Sequence, residues 1–334
     1  MNAPIRVGIV GTGYAAKLRV ETFQADGRSQ VVAVAGQDQA RTAAFCQPFG
    51  IPALATWGEL VQHPDVDVVV ICTVNRLHGA IARIALQAGK HVVVEYPLSL
   101  DSAEAEELIN LAEAQHRLLH VEQIDVLSGV HGAIAQQLPS IGKPLYVRYS
   151  SLNPQHPAPR KWTYQADTFG FPLVGALSRI HRLTTLFGKV TSVSGQNQVW
   201  VDHPSTYPHS MGDSFHTTCL CAGQLQFESG LMAEVIYGKG EAIWAAERRL
   251  DIHGQNGLIH FDGTQGKLVT AEGDRPLDGG SRRGLFAQDT QSVLNYLTEG
   301  KPLYIQPQSS VYALRVANAV RQAADLNQVV PVRS

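Results

Sequence analysis

The chain has 334 residues, 44% of them hydrophobic, which is more than one core holds, since single cores stop growing at roughly 250–300 residues. A net charge of −2, with Lys and Arg scattered, excludes the basic footprint of a nucleic-acid or anionic-membrane binder. No apolar run nears the roughly 20 residues of a membrane span, and Met1–Pro4 leads straight into an apolar strand, so a soluble, cytoplasmic protein without a leader is expected.

From residue 5 to 122, apolar runs alternate with amphipathic stretches. RVGIV, VVAVAG, VDVVVICT, HVVVEYP and LLHVEQ read as strands, and segments such as RIALQAG and AEAEELINLAEAQ as the helices between them. This is the βαβ rhythm of a parallel sheet covered on both faces. Beyond residue 123 the strand-like segments lengthen, with turns at 228–230 and 254–257, a helix over 172–187 and a helical tail from 309. The expected fold is α/β, with an N-terminal Rossmann doubly wound parallel sheet and a C-terminal α+β domain on a mostly antiparallel sheet. The expected domains are 1–122 for the dinucleotide and 123–334 for the substrate.

IVGTGYAA supplies Gly11, Gly13 and Ala16 as G-x-G-x-x-A, after a strand and before a helix, with Tyr14 inside the motif. Gly11 allows a tight turn, Gly13 lets a pyrophosphate approach the backbone, and Ala16 allows close helix packing. At the end of the second strand, Gly36 and Gln37 occupy the place where NAD-selective sites keep an acid for the ribose hydroxyls. Without that carboxylate a 2′-phosphate meets no repulsion, and Arg41 lies where a cation pairs with it. NADPH is the expected cofactor, with NADH usable as well. Asp38 is the residue that opposes this reading, by turning in towards the ribose.

Cys46, Cys72, Cys219 and Cys221 carry no C-x-x-C pair or clustered histidines, so buried free thiols are expected and no metal. Glu95 and Tyr96 end the fifth apolar run, at the mouth of the crevice where doubly wound sheets bind ligands.

These motifs resemble the glucose–fructose oxidoreductase and inositol dehydrogenase family over nearly the whole chain. That family reads T-P-N-x-x-H and then E-K-P, with the lysine catalytic. Thr73, Asn75 and His78 match the first motif, and Glu95 and Pro97 the second; Val74 and Tyr96 depart from them. The resemblance implies that Thr73, Asn75, His78, Glu95 and Tyr96 lie beside the nicotinamide. Polyol dehydrogenases of the family carry an Asp and a His one turn apart on the helix facing it, where Val174 and Ser178 align here. Without lysine, Asp and His, alcohol oxidation lacks its base.

VEYP together with FGFPLVGALSRIHRLTTLFG (169–188) is similar to the biliverdin reductase branch of that family. The similarity implies NADPH-dependent hydride transfer to the central methine carbon of biliverdin, a flat tetrapyrrole with two propionates. Arg179 is the matched arginine of the motif and the expected catalytic group, with Tyr96 as orienter or proton relay. Arg182, three residues on along the same helix face, is expected to hold a propionate. Phe169 and Phe171 are expected as apolar floor, and His181 as a substrate contact. Arg160, Lys161 and Trp162 form a cation–aromatic cluster able to close over a site. Glu122 and Asp125 read as structural. Two alternatives stay open: a sugar or polyol dehydrogenase of the family, and a nucleotide or bilin sensor without turnover. The oligomeric state is not legible.

Overall fold

The computed structural model describes residues 3–201 and 215–333, which divide into two compact units. The first comprises residues 1–124 and 283–311, the second 125–282 and 312–334.

In the first unit, β1 (Ile5–Val10), β2 (Ser29–Ala35), β3 (Ala53–Leu54), β4 (Val68–Ile71), β5 (His91–Val94) and β6 (Leu119–Val121) form one sheet. The order is β3-β2-β1-β4-β5-β6 and every pairing is parallel. Val68–Ile71 and Val92–Val94 are buried on both faces, which is why they read as continuous β-branched runs rather than alternating ones. Chain direction across the sheet reverses between β1 and β4, so the ligand crevice of such a sheet opens at the carboxyl ends of those two strands.

The connecting helices are α1 (Tyr14–Ala25), α2 (Gln39–Cys46), α3 (Trp57–Gln62), α4 (Asn75–Gln87) and α5 (Ser102–Ala114). Side chains of Asp38, Thr56 and Asp101 cap α2, α3 and α5 by accepting first-turn N–H groups. The helices that follow β1 and β4 are different: Gly13 and Val74 stand at their N-caps, and no side chain caps either one. The two helix ends flanking the crevice therefore keep their N–H donors and positive dipole ends for something else.

The second unit is built on nine strands: β7 (Pro144–Pro154), β8 (Val190–Val201), β9 (His216–Phe227), β10 (Met232–Gly240), β11 (Glu247–Gly254), β12 (Gly257–Asp262), β13 (Gln265–Thr270), β14 (Gly273–Asp278) and β15 (Val330–Pro331). Their order is β14-β13-β12-β11-β7-β10-β9-β8-β15, antiparallel except where β10 runs parallel to β7. The expected turns at 228–230 and 254–257 join β9 to β10 and β11 to β12. Helices α6 (Gly129–Gln137), α7 (Ala166–Phe169), α8 (Pro172–Gly175) and α9 (Ser178–Phe187) precede β8.

One expectation needs correction. The single helix over 172–187 is broken: α8 ends at Gly175 and α9 starts at Ser178, with Ala176 at φ −109°, ψ 38° between them. A Cβ at Gly175 would lie 2.5 Å from the Phe169 ring, so that ring fills the corner where the helix turns. Residues 283–311 lie in the first unit, although they follow most of the second in chain order. They carry α10 (Leu285–Glu299), whose Val293 and Leu294 join Val7, Val20 and Phe23 in one apolar core, so burial recruits the segment.

The tail is α11 (Pro307–Leu326), and its later turns lie on the sheet of the second unit. A Cβ at Gly195 would meet the Val320 carbonyl oxygen at 2.6 Å, so a bare strand backbone is what lets this helix approach. All four cysteines are buried free thiols, and among the described residues no group of three His, Cys, Asp or Glu is placed to hold a metal. No helix among them is long and apolar enough to cross a membrane.

Candidate active site

The residues expected to bind the cofactor lie in the first unit, around the ends of β1, β2 and β4. Gly11 sits at φ +127°, a conformation L-residues rarely adopt, and a Cβ there would lie 2.2 Å from the Cys72 carbonyl oxygen. It can only be glycine. Gly13 is different: a Cβ there would meet nothing within 4 Å, so no contact within the protein demands the bare backbone. Ala16 is fully buried where α1 meets the sheet, and Tyr14 is 78% exposed beside the motif. An open approach to Gly13, beside the uncapped end of α1, fits a pyrophosphate.

At the end of β2, a Cβ on Gly36 would come within 2.4 Å of Thr42 Oγ1 and 3.0 Å of Thr12 Cγ2, so the backbone there is hemmed in. Gln37 and Arg41 are exposed. The Asp38 carboxylate accepts the Arg41 N–H at 2.7 Å and caps α2, which gives this acid a local task.

At the ends of β4 and β5, His78 is buried, with Nδ1 2.8 Å from the Pro97 carbonyl oxygen and Nε2 3.2 Å from that of Thr73. Burial pulls its pKa below the ordinary value, partly countered by those carbonyls. The ring thus lies between the segment Glu95–Pro97 and the loop after β4, and a ring N–H can be donated to either carbonyl. Asn75 is buried in the first turn of α4, while Thr73 is half-buried with its hydroxyl on the Val74 carbonyl. Tyr96 is half-buried, and the Tyr96–Pro97 peptide bond is cis.

Beneath Tyr96 lies a buried ionic network that sequence patterns did not reveal. Arg19, fully buried on α1, donates to Glu95 at 3.0 Å and pairs with Asp289 of α10. His120 Nε2 lies 2.7 Å from Asp289, and the Tyr304 hydroxyl donates to the same carboxylate at 2.6 Å. Glu95 also meets Glu122 carboxyl to carboxyl, a contact that requires a proton between them. Burial, with Glu95 and Asp289 nearby, pushes Glu122 well above the usual carboxylate range, so it holds that proton. Glu95, expected beside the cofactor, is 15% exposed and anchored from below by Arg19.

The second unit holds the residues expected to meet substrate, and places Arg179 and Arg182 over one face of its sheet. Arg179 Nη2 donates to Ser151 Oγ of β7 at 2.9 Å, and its guanidinium carbon lies 4.9 Å from the Tyr237 ring centroid on β10. Arg179 Nε is buried without a hydrogen-bond partner. Arg182 lies 5.9 Å from the Tyr149 ring and is buried; its Nη2 donates to the Asp125 carbonyl oxygen at 3.1 Å and Ser128 Oγ at 3.3 Å. Burial alone would raise Asp125, but Arg182 and Arg282 hold its carboxyl down at about 2. Asp125 therefore already supplies the anion that Arg182 was expected to find in a propionate.

His181 is 1% exposed, and burial pulls its pKa down to about 4, with His131 beside it, so it lies inside the unit rather than on its surface. Phe169 is buried with Trp162 at 5.9 Å between ring centroids, and Phe171 is half-buried at the start of α8. Val174 and Ser178, the places of the polyol dehydrogenase pair, are both buried and separated by the helix break.

Comparison with known proteins agrees with this arrangement. Residues 5–123 match the oxidoreductase family, NAD-binding Rossmann fold, and residues 135–332 match the same family's C-terminal alpha/beta domain. The chain belongs to this family of nicotinamide-dependent oxidoreductases, that of glucose–fructose oxidoreductase and inositol dehydrogenase. Among solved structures it is 50% identical to biliverdin reductase from Synechocystis sp. PCC 6803, in complex with biliverdin and NADP+, covering 97% of this chain and 100% of that one with a TM-score of 0.92. It is 34% identical to mouse and 35% to human biliverdin reductase A, and each alignment spans 41% of this chain and 43% of the relative. Myo-inositol 2-dehydrogenase of Thermotoga maritima is 22% identical over 96% of both chains. A levoglucosan dehydrogenase shares the fold at a TM-score of 0.84 and 19% identity, over 99% of both chains.

Proposed function

We propose that the chain is an NADPH-dependent biliverdin reductase. The observation that carries this reading is the full-length, 50% identity to a solved biliverdin reductase bound to biliverdin and NADP+. Tyr96 in place of the family lysine and the apolar Val174 support it, because both remove groups an alcohol oxidase needs.

The overall reaction adds one hydride and one proton to biliverdin, giving bilirubin and NADP+. NADPH, when bound, supplies the hydride. The N–H groups at the start of α1, with Gly11 and Gly13, would hold its pyrophosphate, and Gln37 and Arg41 would face the 2′-phosphate. His78 fixes the backbone that carries Tyr96, through the Pro97 carbonyl. Arg179 polarises the pyrrole system, where its fixed charge stabilises electron density that the hydride brings. A guanidinium is a poor proton donor, with a pKa above about 12, so the proton reaches the pyrrole nitrogen by way of a relay that includes the Tyr96 hydroxyl.

The test is incubation of the purified chain with biliverdin and NADPH. Loss of the long-wavelength bilin band with growth of a bilirubin band is expected. Turnover of sugars with NAD(P)+ and none of biliverdin would replace this reading with a polyol dehydrogenase.

A further inference from the structure

The chain pairs most of its buried cations with carboxylates: Arg19 with Glu95 and Asp289, and Arg182 with Asp125. Lys239 on β10 breaks this habit. It is 4% exposed, and its ammonium donates to the Thr163 carbonyl oxygen. The Nζ atom lies 4.0 Å from the Phe169 ring centroid and 4.5 Å from that of Tyr164. Among the described residues no carboxylate pairs with it, and the titratable groups that act on it are Cys219 and Lys161. Cation–π contacts offset only part of the cost of removing a full charge from water.

Lys239 stands two residues after Tyr237 on the same strand, so both side chains project from one face, roughly 7 Å apart along it. Tyr237 is the ring that carries Arg179, the other cation of this face with no carboxylate among the described residues. Two charged groups on one sheet face, with no carboxylate counter-ion among the described residues, match a ligand bearing two carboxylates.

We propose that Lys239 is a substrate-binding residue, the anchor for one propionate of the bilin, in the role that Arg182 cannot take because Asp125 occupies it. This assignment rests on the biliverdin reading above. The propionates stand on the two pyrroles flanking the methine carbon that receives hydride, so an anchored propionate also positions that carbon relative to Arg179. Phe169 then serves as support for the anchor as well as apolar floor. Burial drags the Lys239 pKa down to about 8, and a bound carboxylate would push it back up.

The experiment compares biliverdin with its dimethyl ester, which has the same ring system and no charge, by absorbance titration of the NADPH-free protein. Wild type should prefer the diacid. Lys239→Met, whose thioether fills the same space over the Phe169 and Tyr164 rings, should weaken diacid binding roughly 10–100-fold and ester binding no more than threefold, and Lys239→Arg should restore most of the difference. The same substitution should raise the biliverdin KM with kcat retained and NADPH affinity unchanged. Equal loss for acid and ester, or no loss for either, would overturn the assignment by making Lys239 a packing residue.

A second measurement needs no variant. Between pH 7 and 9 the wild-type preference for diacid over ester should fall several-fold as Lys239 discharges. Its titratable neighbours do not change charge there: burial holds His216 near 4, Tyr164 and Tyr237 at about 12 and the Cys219 thiol above its ordinary value. A constant preference would count against Lys239 even if Lys239→Met did not fold. A wild-type protein that binds neither ligand would overturn the bilin reading itself, and this anchor with it.

Discussion

Arg19 and Asp289 stand 270 residues apart in the chain and form a fully buried ion pair. Through this pair α10 is fastened to α1, and through Arg19 Nε the same guanidinium reaches Glu95, the residue before Tyr96. Removing one partner leaves a charge buried without compensation, which costs about 3–5 kcal/mol. Arg19→Met should therefore lower the unfolding free energy by that amount, measured by urea titration. Arg19→Met combined with Asp289→Leu should recover part of the loss, since no orphan charge remains. A single variant as stable as wild type would mean that the network carries no energy.

A second network gives a pH dependence with a defined sign. Arg182 and Arg282 depress the Asp125 carboxyl from its ordinary 3.8 to about 2. For a lowered folded-state pKa the stabilisation is present above the unfolded value and is lost as pH falls from about 4 through 2. The shift corresponds to roughly 2 kcal/mol. Stability of wild type should drop by that amount over this interval in excess of Asp125→Asn, followed by denaturant unfolding at each pH. Parallel curves would remove Asp125 from the acid response.

The arginines of α9 should separate by readout. Arg179→Ala should lower kcat with little change in bilin affinity, the signature of an interaction made chiefly in the transition state. Arg182→Ala leaves the largely buried Asp125 carboxylate with Arg282 alone and should act on thermal stability instead, with KM for biliverdin within a few-fold of wild type. Near-normal turnover by Arg179→Ala at saturating biliverdin would reduce that arginine to an anchor.

Tyr96→Phe keeps the ring and removes the hydroxyl. If the hydroxyl belongs to the proton relay, kcat should fall roughly 100-fold, within the range of acid–base contributions. A change of less than threefold would leave the ring a packing surface.

Cofactor choice should be reset at Gln37, not at Gly36. A carboxylate grafted at Gly36 would begin with a Cβ 2.4 Å from Thr42 Oγ1, so its effect would mix strain with charge. Gln37 is exposed, and Gln37→Asp should lower kcat/KM for NADPH by roughly tenfold through repulsion of the 2′-phosphate, about 1.4 kcal/mol, with NADH gaining in relative terms. An unaltered NADPH/NADH ratio would place the selecting contact elsewhere.

What could be read from residue order is what short-range chemistry encodes. Gly11, Gly13 and Ala16 lie within six positions of one another, and the β-branched runs of β4 and β5 announce strands buried on both faces; such signals need only a turn, a strand or a helix to be expressed. The same local reading put Arg182 beside Arg179 as a ligand group, since three residues on a helix share a face. Only the folded chain shows that Asp125, 57 positions away, already neutralises Arg182, while Lys239 meets the Thr163 carbonyl 76 positions away and no carboxylate among the described residues. The break between α8 and α9 likewise depends on where the Phe169 ring comes to rest. Whether a charge is spent or available depends on which partner long-range packing brings within about 4 Å, and no periodicity along the chain encodes that distance.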